Sequence, residues 1–194
     1  MVKSVFIANR GEIAVRIIRT LKEMGIESVV GYSEADRESL AVEMADKAVC
    51  IGPPEAKKSY LHSSNLISAA LFAGCDAVHP GVGFLSESAK FAQQVKDAGL
   101  VFIGPEAETI SFLGDKVQAR KTAENAGLPI TPGSDGPVTD LKTATEFAEK
   151  AGYPIIIKAA SGGGGKGMRI VRDHSELESA MRIATHEAET AFSD

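Results

Sequence analysis

Short apolar runs alternate with amphipathic, helix-like segments over residues 1–104, and this alternation constrains the fold more than any other feature. The first run, Val5–Ala8, leads into Glu12–Met24, whose apolar side chains recur on one helical face until Gly25 ends the segment. Further predicted strands are Ser28–Tyr32, Lys47–Ile51, Asp76–His79 and Leu100–Ile103, and further predicted helices are 39–45, Ser64–Ala73 and Ser86–Ala98. Repeated strand–helix units with glycine-bounded turns predict an α/β fold with a parallel, doubly wound sheet.

The pattern changes after Gly104-Pro105, where two predicted helices follow each other without a strand between them. The predicted elements beyond this point are helices at Ala107–Leu113, Lys116–Asn125 and Leu141–Ala151, two strands around a glycine run, and a last helix from about His174 with Ser175 as its N-cap. We therefore expect two domains, 1–114 and 115–194. The second contains too few strands to bury both faces of a sheet, so we expect it to be incomplete.

The stretch IIIKAASGGGGKGM at residues 155–168 says most about function. An apolar run ends on Lys158, four glycines follow at 162–165, and a second apolar run begins at Met168. A lysine at a strand end supplies positive charge, and bare glycine backbone can wrap an anion with its N–H groups. A plain linker would need no flanking strands, so the pattern favours a hairpin that closes over a polyphosphate.

Two better-known glycine motifs are excluded at these positions. A P-loop needs Ser or Thr after its Gly-Lys pair, but Gly167 follows Gly165-Lys166, and the next segment is strand-like. A dinucleotide fingerprint needs several glycines after the first strand, but Asn9-Arg10-Gly11-Glu12 contains one.

Composition describes an ordinary globular protein. The net charge is −5 with both signs mixed along the chain, which disfavours a nucleic-acid partner. No apolar segment approaches the roughly 18 residues of a membrane span, and the start resembles neither a signal nor a transit peptide. We expect a cytoplasmic protein, or a mitochondrial matrix protein if a transit peptide has been removed. Cys50 and Cys75 lie in apolar surroundings and are expected to be buried free thiols.

Several polar residues have two open interpretations. The loop at 79–88, with Gly81 and Gly83, follows a strand and is either a ligand site or a tight connection, with Ser86 and Glu87 as candidate caps of the next helix. Arg10 and Arg16 are either ligand contacts or surface residues with solvent or ion-pair partners. Lys116 begins a helix, where the helix dipole disfavours a positive charge, so it is either a contact of a nearby phosphate or a solvated lysine. His62, His174 and His186 show no metal-ligand spacing and are expected at the surface.

Six motifs in one order give the chain a family resemblance. They are IANRGEIAVRIIR at 7–19, HPGVGFLSES at 79–88, FIGP at 102–105, GDK at 114–116, PGSDGP at 132–137 and KAASGGGGKGM at 158–168. Over essentially its whole length the chain resembles the amino-terminal part of a biotin carboxylase, the ATP-grasp component of acetyl-CoA, propionyl-CoA, methylcrotonyl-CoA and pyruvate carboxylases.

The resemblance implies a preATP-grasp (Rossmann-like) domain followed by part of an ATP-grasp domain with its mobile lid. It implies ATP- and bicarbonate-dependent carboxylation of biotin on a carrier protein, in company with a carboxyltransferase. The residues it assigns to ATP are Lys116 and Lys158 on the phosphates, Gly162, Gly163, Gly164, Gly165, Lys166 and Gly167 over the phosphates, and Met168 against the adenine. It places Arg19 and Glu23 at a homodimer interface.

The resemblance also marks what this chain lacks. Val82 stands where the family usually has a tyrosine near its biotin site. The family's magnesium carboxylates and catalytic base would follow Asp194, so we expect no catalytic residue or metal ligand in this chain and no carboxylase activity from it alone. Two alternatives stay open: a structural half that assembles with a complementary chain, and another ATP-grasp ligase such as a carbamoyl-phosphate or purine-pathway enzyme.

Overall fold

A five-stranded parallel sheet organises the first part of the chain. In a computed structural model, which describes residues 2–134, 136–158 and 168–192 and only the backbone at 116 and 188–192, the chain divides into two compact units, Met1–Gly114 and Asp115–Asp194. The strands of the first unit are β1 (Ser4–Ile7), β2 (Glu27–Ser33), β3 (Lys47–Gly52), β4 (Ala77–His79) and β5 (Val101–Phe102). Their order is β3-β2-β1-β4-β5, and every neighbouring pair is parallel. The predicted parallel α/β sheet is confirmed.

Helices cover both faces of this sheet because successive side chains of a strand point to opposite sides. The helices are α1 (Gly11–Met24), α2 (Leu40–Met44), α3 (Ser63–Phe72), α4 (Ala89–Asp97) and α5 (Ala107–Gly114), with single 3-10 turns at Glu34–Asp36 and Ala56–Lys58. Val5 and Ile7 of β1 pack with α1 and α2, whereas Phe6 packs with α3 and α4. Two apolar cores, one on each face, therefore hold the unit together.

The predicted start of α4 is wrong by three residues. The helix begins at Ala89, not at Ser86, and the hydroxyl of Ser88 accepts a hydrogen bond from the Phe91 N–H at 3.2 Å. Ser88 itself has extended backbone, as an N-cap residue does. Residues 80–88 are thus an irregular loop, and neither Ser86 nor Glu87 is the N-cap.

The two cysteines differ in exposure, and the prediction that both are buried is wrong for Cys50. Cys50 lies on β3, which is an edge strand, and its side chain is exposed. Cys75 is buried just before β4, which has a strand on each side. Apolar neighbours in sequence do not distinguish an edge strand from a central one.

The second unit is built from α6 (Lys116–Asn125), α7 (Leu141–Ala151), β6 (Ile155–Lys158), β7 (Met168–Val171) and α8 (His174–Phe192). Strands β6 and β7 pair in the antiparallel sense, as predicted. The α8 N-cap is Asp173 rather than Ser175, because the Asp173 carboxylate accepts the Ser175 N–H at 2.8 Å.

Candidate functional site

The hairpin of β6 and β7 presents a mixed apolar and basic surface on one side. Its register places Ile156 opposite Ile170 and Lys158 opposite Met168. Directly opposed residues of an antiparallel pair point to the same face, so these four side chains form one patch, which we call the hairpin outer face. Ile156 is 56% exposed, Ile170 55% and Met168 43%, and Lys158 is also exposed.

The other side of the hairpin is the core of the second unit. Val171 is fully buried, and Ile155 and Ile157 pack with it against the alanine-rich faces of α7 and α8. Arg169 shares this side and forms an ion pair with Glu187 of α8. The core therefore anchors the hairpin from behind and leaves its outer face open, although isoleucine and methionine are residues that proteins usually bury.

This arrangement suits an aromatic heterocycle that carries negative charge. Two isoleucines and the polarisable thioether of Met168 offer apolar contact, and the Lys158 ammonium offers a counter-charge. A purine nucleotide combines these two properties.

The structure brings only part of the predicted ATP site together. Lys158 and Met168 lie side by side on the hairpin outer face. The predictions for Gly162, Gly163, Gly164, Gly165, Lys166 and Gly167 fall outside the described residues. Lys116 is the first residue of α6, after Asp115, whose carboxylate accepts the N–H groups of Val117 at 2.8 Å and Gln118 at 3.0 Å. The Lys116 side chain also lies outside the described part of the chain.

Sequence reasoning missed Ile156 and Ile170 as members of this patch. The signal was available, because residues two apart in a strand share a face. Ile156 lies two positions before Lys158, and Ile170 two positions after Met168.

A second candidate region lies at the carboxyl edge of the five-stranded sheet. Strands β2 and β3 lie on one side of β1, and β4 and β5 lie on its other side. The direction in which successive strands are added to the sheet therefore reverses between β1 and β4. Ligands of open α/β sheets bind beside this point of reversal. The residues that follow the two strands are Asn9 after β1 and the loop from Pro80 to Ser88 after β4.

Asn9 holds the β4 loop from inside the protein. It is 2% exposed, and its side-chain amide donates to the carbonyls of Pro80 at 2.8 Å and Val82 at 2.9 Å. Gly81 has a φ of +69°, and a Cβ added there would lie 2.6 Å from the Asn9 amide nitrogen. The glycine therefore serves close packing between the two loops, while the Val82 side chain is 70% exposed.

His79 is neutral at the end of β4. Its Nδ1 accepts the Gly81 N–H at 3.0 Å, which leaves any ring proton on Nε2. Burial lowers the pKa of His79 below its usual value. His79 therefore supports the turn after the strand.

Arg10 is an ion-pair residue rather than a free cation. Its Nε donates to Asp36 Oδ2 at 2.9 Å, and its second nitrogen forms an ion pair with the other carboxylate oxygen. The hydrogen bond from Arg10 is the main reason that the pKa of Asp36 lies below its usual value. Arg16 instead donates to the Thr20 hydroxyl on its own helix.

The histidines at helix starts have no common role. The imidazole of His62 accepts the Asn65 N–H at 3.3 Å and so caps α3, while His174 is the first residue of α8. Among the described residues, no cluster of three or more His, Cys, Asp or Glu side chains has the geometry of a metal site. Nor does any helix in the described ranges have the length and apolarity needed to cross a membrane.

The residues predicted at a dimer interface are exposed on α1. Arg19 and Glu23 are four positions apart and lie on the same side of the helix. Arg19 and Arg16 line a hollow of about 670 Å³ between α1 and the start of α2, where Leu40 and Ala41 form the other wall.

Comparison with known proteins identifies the family. The family model described as biotin carboxylase, N-terminal domain, matches residues 1–110. The chain belongs to the biotin carboxylase family. Residues 115–194 match a second family model, described as carbamoyl-phosphate synthase L chain, ATP binding domain.

Biotin carboxylases and related carboxylases match the chain over nearly its full length. It is 52% identical to biotin carboxylase 1 of Bacillus subtilis over 192 residues, which are 99% of this chain and 43% of that protein. It is 50% identical to the pyruvate carboxylase of Staphylococcus aureus over 98% of this chain and 17% of that protein. The chain therefore spans less than half the length of the biotin carboxylases it matches.

Solved biotin carboxylases share the fold. The Campylobacter jejuni biotin carboxylase, solved as a β,γ-ATP complex, has a TM-score of 0.95 and 45% identity over 100% of this chain and 44% of that one. The biotin carboxylase domain dimer of the Hydrogenobacter thermophilus 2-oxoglutarate carboxylase, solved with MgADP, ADP and bicarbonate, has a TM-score of 0.91 and 42% identity over 100% of this chain and 42% of that one.

Proposed function

We propose that this chain is the amino-terminal part of an enzyme that uses ATP and bicarbonate to carboxylate biotin on a carrier protein. The observation that supports it best is the hairpin outer face, where Lys158 and Met168 lie beside two exposed isoleucines. Biotin carboxylase relatives match the chain over almost all its residues, and the match to an ATP binding domain covers residues 115–194.

In the proposed reaction, this chain binds the nucleotide and shields it from water. Ile156, Ile170 and Met168 supply apolar contact for the adenine. Lys158, with Lys116 and the 162–167 segment, neutralises and covers the phosphates, and exclusion of water strengthens these charge interactions. ATP brings the phosphoryl group that activates bicarbonate, and no step of that transfer is assigned to a residue of this chain.

Because the chain spans less than half of its biotin carboxylase relatives, we propose that it is inactive alone. Magnesium is part of the proposed reaction, and no residue of this chain is proposed as its ligand. We further propose that residues 1–114 and 115–194 are separate domains and that two copies of the chain associate through Arg19 and Glu23. The proposed partners of the whole enzyme are a biotin carrier protein and a carboxyltransferase. Its proposed location is the cytoplasm or the mitochondrial matrix.

The test compares the chain alone with a completed enzyme. Residues 1–194 are fused to the part of Bacillus subtilis biotin carboxylase 1 that follows the matched region, and biotin- and bicarbonate-dependent ATP cleavage is measured. We expect activity from the fusion and none from the 194-residue chain. An inactive but folded fusion, or an active chain, would contradict the proposal.

Variants of the fusion test the hairpin outer face directly. We expect Ile156→Ser or Ile170→Ser to raise the KM for ATP about tenfold, which is the effect of losing part of one buried isoleucine contact. Phe72→Ser is the matched control, because Phe72 is 86% exposed at the end of α3 in the other unit. An unchanged KM for ATP in both isoleucine variants would show that this face does not meet the nucleotide.

The alternative is a structural half that assembles with a complementary chain. The exposed hairpin outer face is also compatible with it, because a second polypeptide would cover those isoleucines. Expression of residues 1–194 together with the separate carboxyl-terminal part of the Bacillus subtilis enzyme decides between them. Co-purification at equal stoichiometry supports the alternative, and activity from the fusion but not from the two separate chains counts against it.

A further inference from the structure

A polar cluster joins three segments at the carboxyl edge of the five-stranded sheet. Asp36 lies at its centre, with a side chain only 13% exposed. Its Oδ2 accepts hydrogen bonds from Arg10 Nε at 2.9 Å, the Ser33 hydroxyl at 2.8 Å and the Tyr60 hydroxyl at 2.8 Å. These donors follow β1, end β2 and precede α3, respectively, so one carboxylate ties together segments that are distant in sequence.

The direction of each hydrogen bond in this cluster is determined by chemistry. The Ser33 backbone N–H donates to the Tyr60 oxygen at 3.0 Å, and a backbone N–H cannot accept. The Tyr60 hydroxyl must therefore place its own proton toward Asp36. Burial raises the pKa of Tyr60 to about 12, so this proton stays in place at neutral pH.

The ring of Tyr60 supports the loop after β4. Tyr60 is 2% exposed, and its ring stacks on Phe84 with centroids 5.1 Å apart and planes 17° from parallel. The Arg10 guanidinium lies 5.9 Å from the centroid of the Tyr60 ring. The ring is thus held at its hydroxyl by Asp36 and covered by Phe84 and Arg10.

Phe84 has an unusual backbone conformation for which the stacking offers a reason. Its φ is +46°, and it is the only non-glycine residue with positive φ in the described ranges. A phenylalanine rarely adopts this conformation unless its surroundings hold it there. The loop is therefore held twice, by Asn9 at the carbonyls of Pro80 and Val82 and by Tyr60 under Phe84.

We propose that Asp36 and Tyr60 are positioning residues that hold residues 80–84 in the shape in which this loop meets biotin. The proposal rests on the proposed function. The hairpin outer face serves the nucleotide, so the crevice between β1 and β4 is free for the other organic substrate. Val82 and Phe84, in the loop that follows β4, are 70% and 37% exposed, and apolar groups of this kind suit the fused rings of biotin better than bicarbonate.

The first experiment uses the 194-residue chain and measures hydrogen exchange of the amides at 80–86 by mass spectrometry. Asp36→Asn keeps the shape of the side chain but removes its charge, and Tyr60→Phe keeps the ring but removes the hydroxyl. We expect both to speed exchange in this loop about tenfold while β1 and α1 stay protected. Tyr32→Phe, on β2 but outside the cluster, is the matched control and should change nothing.

A third variant keeps the test decisive if Asp36→Asn or Tyr60→Phe fails to fold. Phe84→Leu leaves the Asp36 cluster intact and removes only the ring stacking, so it should loosen the same amides. Unchanged exchange at 80–86 in all three variants would overturn the proposal. So would equal loosening of the whole first unit, because that result describes a general stabilising role.

The second experiment uses the active fusion and separates two Michaelis constants. We expect Asp36→Asn, Tyr60→Phe and Phe84→Leu to raise the KM for free biotin about fivefold or more, and to leave the KM for ATP within about twofold. Equal changes in both constants, or in neither, would overturn the proposal. An inactive wild-type fusion would contradict the proposed function instead, and the exchange measurement would still decide whether Asp36 and Tyr60 position the loop.

Discussion

Single residues at the β4 loop illustrate how tertiary contacts, rather than residue type, decide the role of a glycine. Gly81 and Gly83 both have positive φ, +69° and +72°. A Cβ at Gly81 would lie within 3 Å of Asn9 and Ile13, whereas a Cβ at Gly83 would meet nothing within 4 Å. The two residues look alike in sequence, but only Gly81 combines backbone conformation with close packing.

This difference gives a matched pair of variants. Gly83→Ala should lower the free energy of unfolding by about 1 kcal/mol, the cost of positive φ for alanine. Gly81→Ala should lower it by about 3 kcal/mol, since the clash with Asn9 adds to that cost. Urea denaturation followed by circular dichroism measures both, and equal losses would mean that the Asn9 contact relaxes without cost.

The two thiols should differ sharply in reactivity. Cys50 is exposed, while Cys75 is buried and burial raises its pKa to about 11. Since the thiolate is the reactive form, we expect an aromatic disulfide reagent to modify one thiol per native chain and two in guanidinium chloride. Cys50→Ser should abolish the fast reaction. Rapid modification of native Cys50→Ser protein would show that Cys75 is accessible.

At the scale of elements, helix starts depend on which polar side chain meets the free N–H groups of the first turn. Within 79–88 two serines, Ser86 and Ser88, have the residue type of an N-cap, and the prediction chose Ser86 together with Glu87. Only Ser88 has extended backbone directly before the helix and a hydroxyl in reach of the Phe91 N–H. The same competition misplaced the predicted cap of α8, where Asp173 precedes Ser175.

Alanine variants test this assignment of the α4 cap. Ser88→Ala should lower the free energy of unfolding by about 1 kcal/mol, the usual value of a lost N-cap. Ser86→Ala should change it by less than about 0.5 kcal/mol, as a surface substitution does. Thermal unfolding of both variants measures these losses. A larger loss of stability for Ser86→Ala than for Ser88→Ala would show that Ser86 is the N-cap.

At the scale of the whole molecule, ionisable groups combine into one pH dependence of stability. Hydrogen bonds are the main cause of lowered pKa values at five aspartates, Asp36, Asp46, Asp76, Asp140 and Asp173. Burial lowers the pKa of His79 and raises those of Cys75 and Tyr60. The lowered and the raised groups act at opposite ends of the pH range.

The direction of each pH effect follows from the difference in proton binding between the folded and the unfolded chain. A lowered pKa means that the unfolded chain binds protons first, so stability falls as pH drops below about 6.5 for His79 and below about 4 for the aspartates. A raised pKa of a thiol or phenol means that the unfolded chain loses protons first, so stability also falls above about pH 9. We expect the urea midpoint to be highest between about pH 6.5 and 8.5.

Variants separate the contributions to this profile. Cys75→Ala should flatten the alkaline fall, and the exposed Cys50→Ala should leave it unchanged. Asp36→Asn should flatten the acid fall below about pH 4. A urea midpoint that rises toward pH 4 would contradict the assigned directions at the aspartates and His79.

The sequence by itself determined the features that arise from local order. Alternating apolar periodicity and glycine stops specified the parallel α/β unit, and two apolar runs around a glycine segment specified the antiparallel hairpin. Lys158 and Met168 were recognised as the residues that border the glycine segment, and the collinear motifs were enough to indicate the family. These features need only neighbouring residues or short spacings to be recognised.

Only the tertiary structure decided which residues from distant segments share a surface or a charge. Strand order made β3 an edge and exposed Cys50. Pairing register placed Ile156 and Lys158 of one strand opposite Ile170 and Met168 of the other. Arg10 forms an ion pair with Asp36, which lies 26 positions later in the sequence. The physical reason is the same in each case: periodicity reports which face of its own element a residue occupies, whereas contacts between elements follow from how those faces pack.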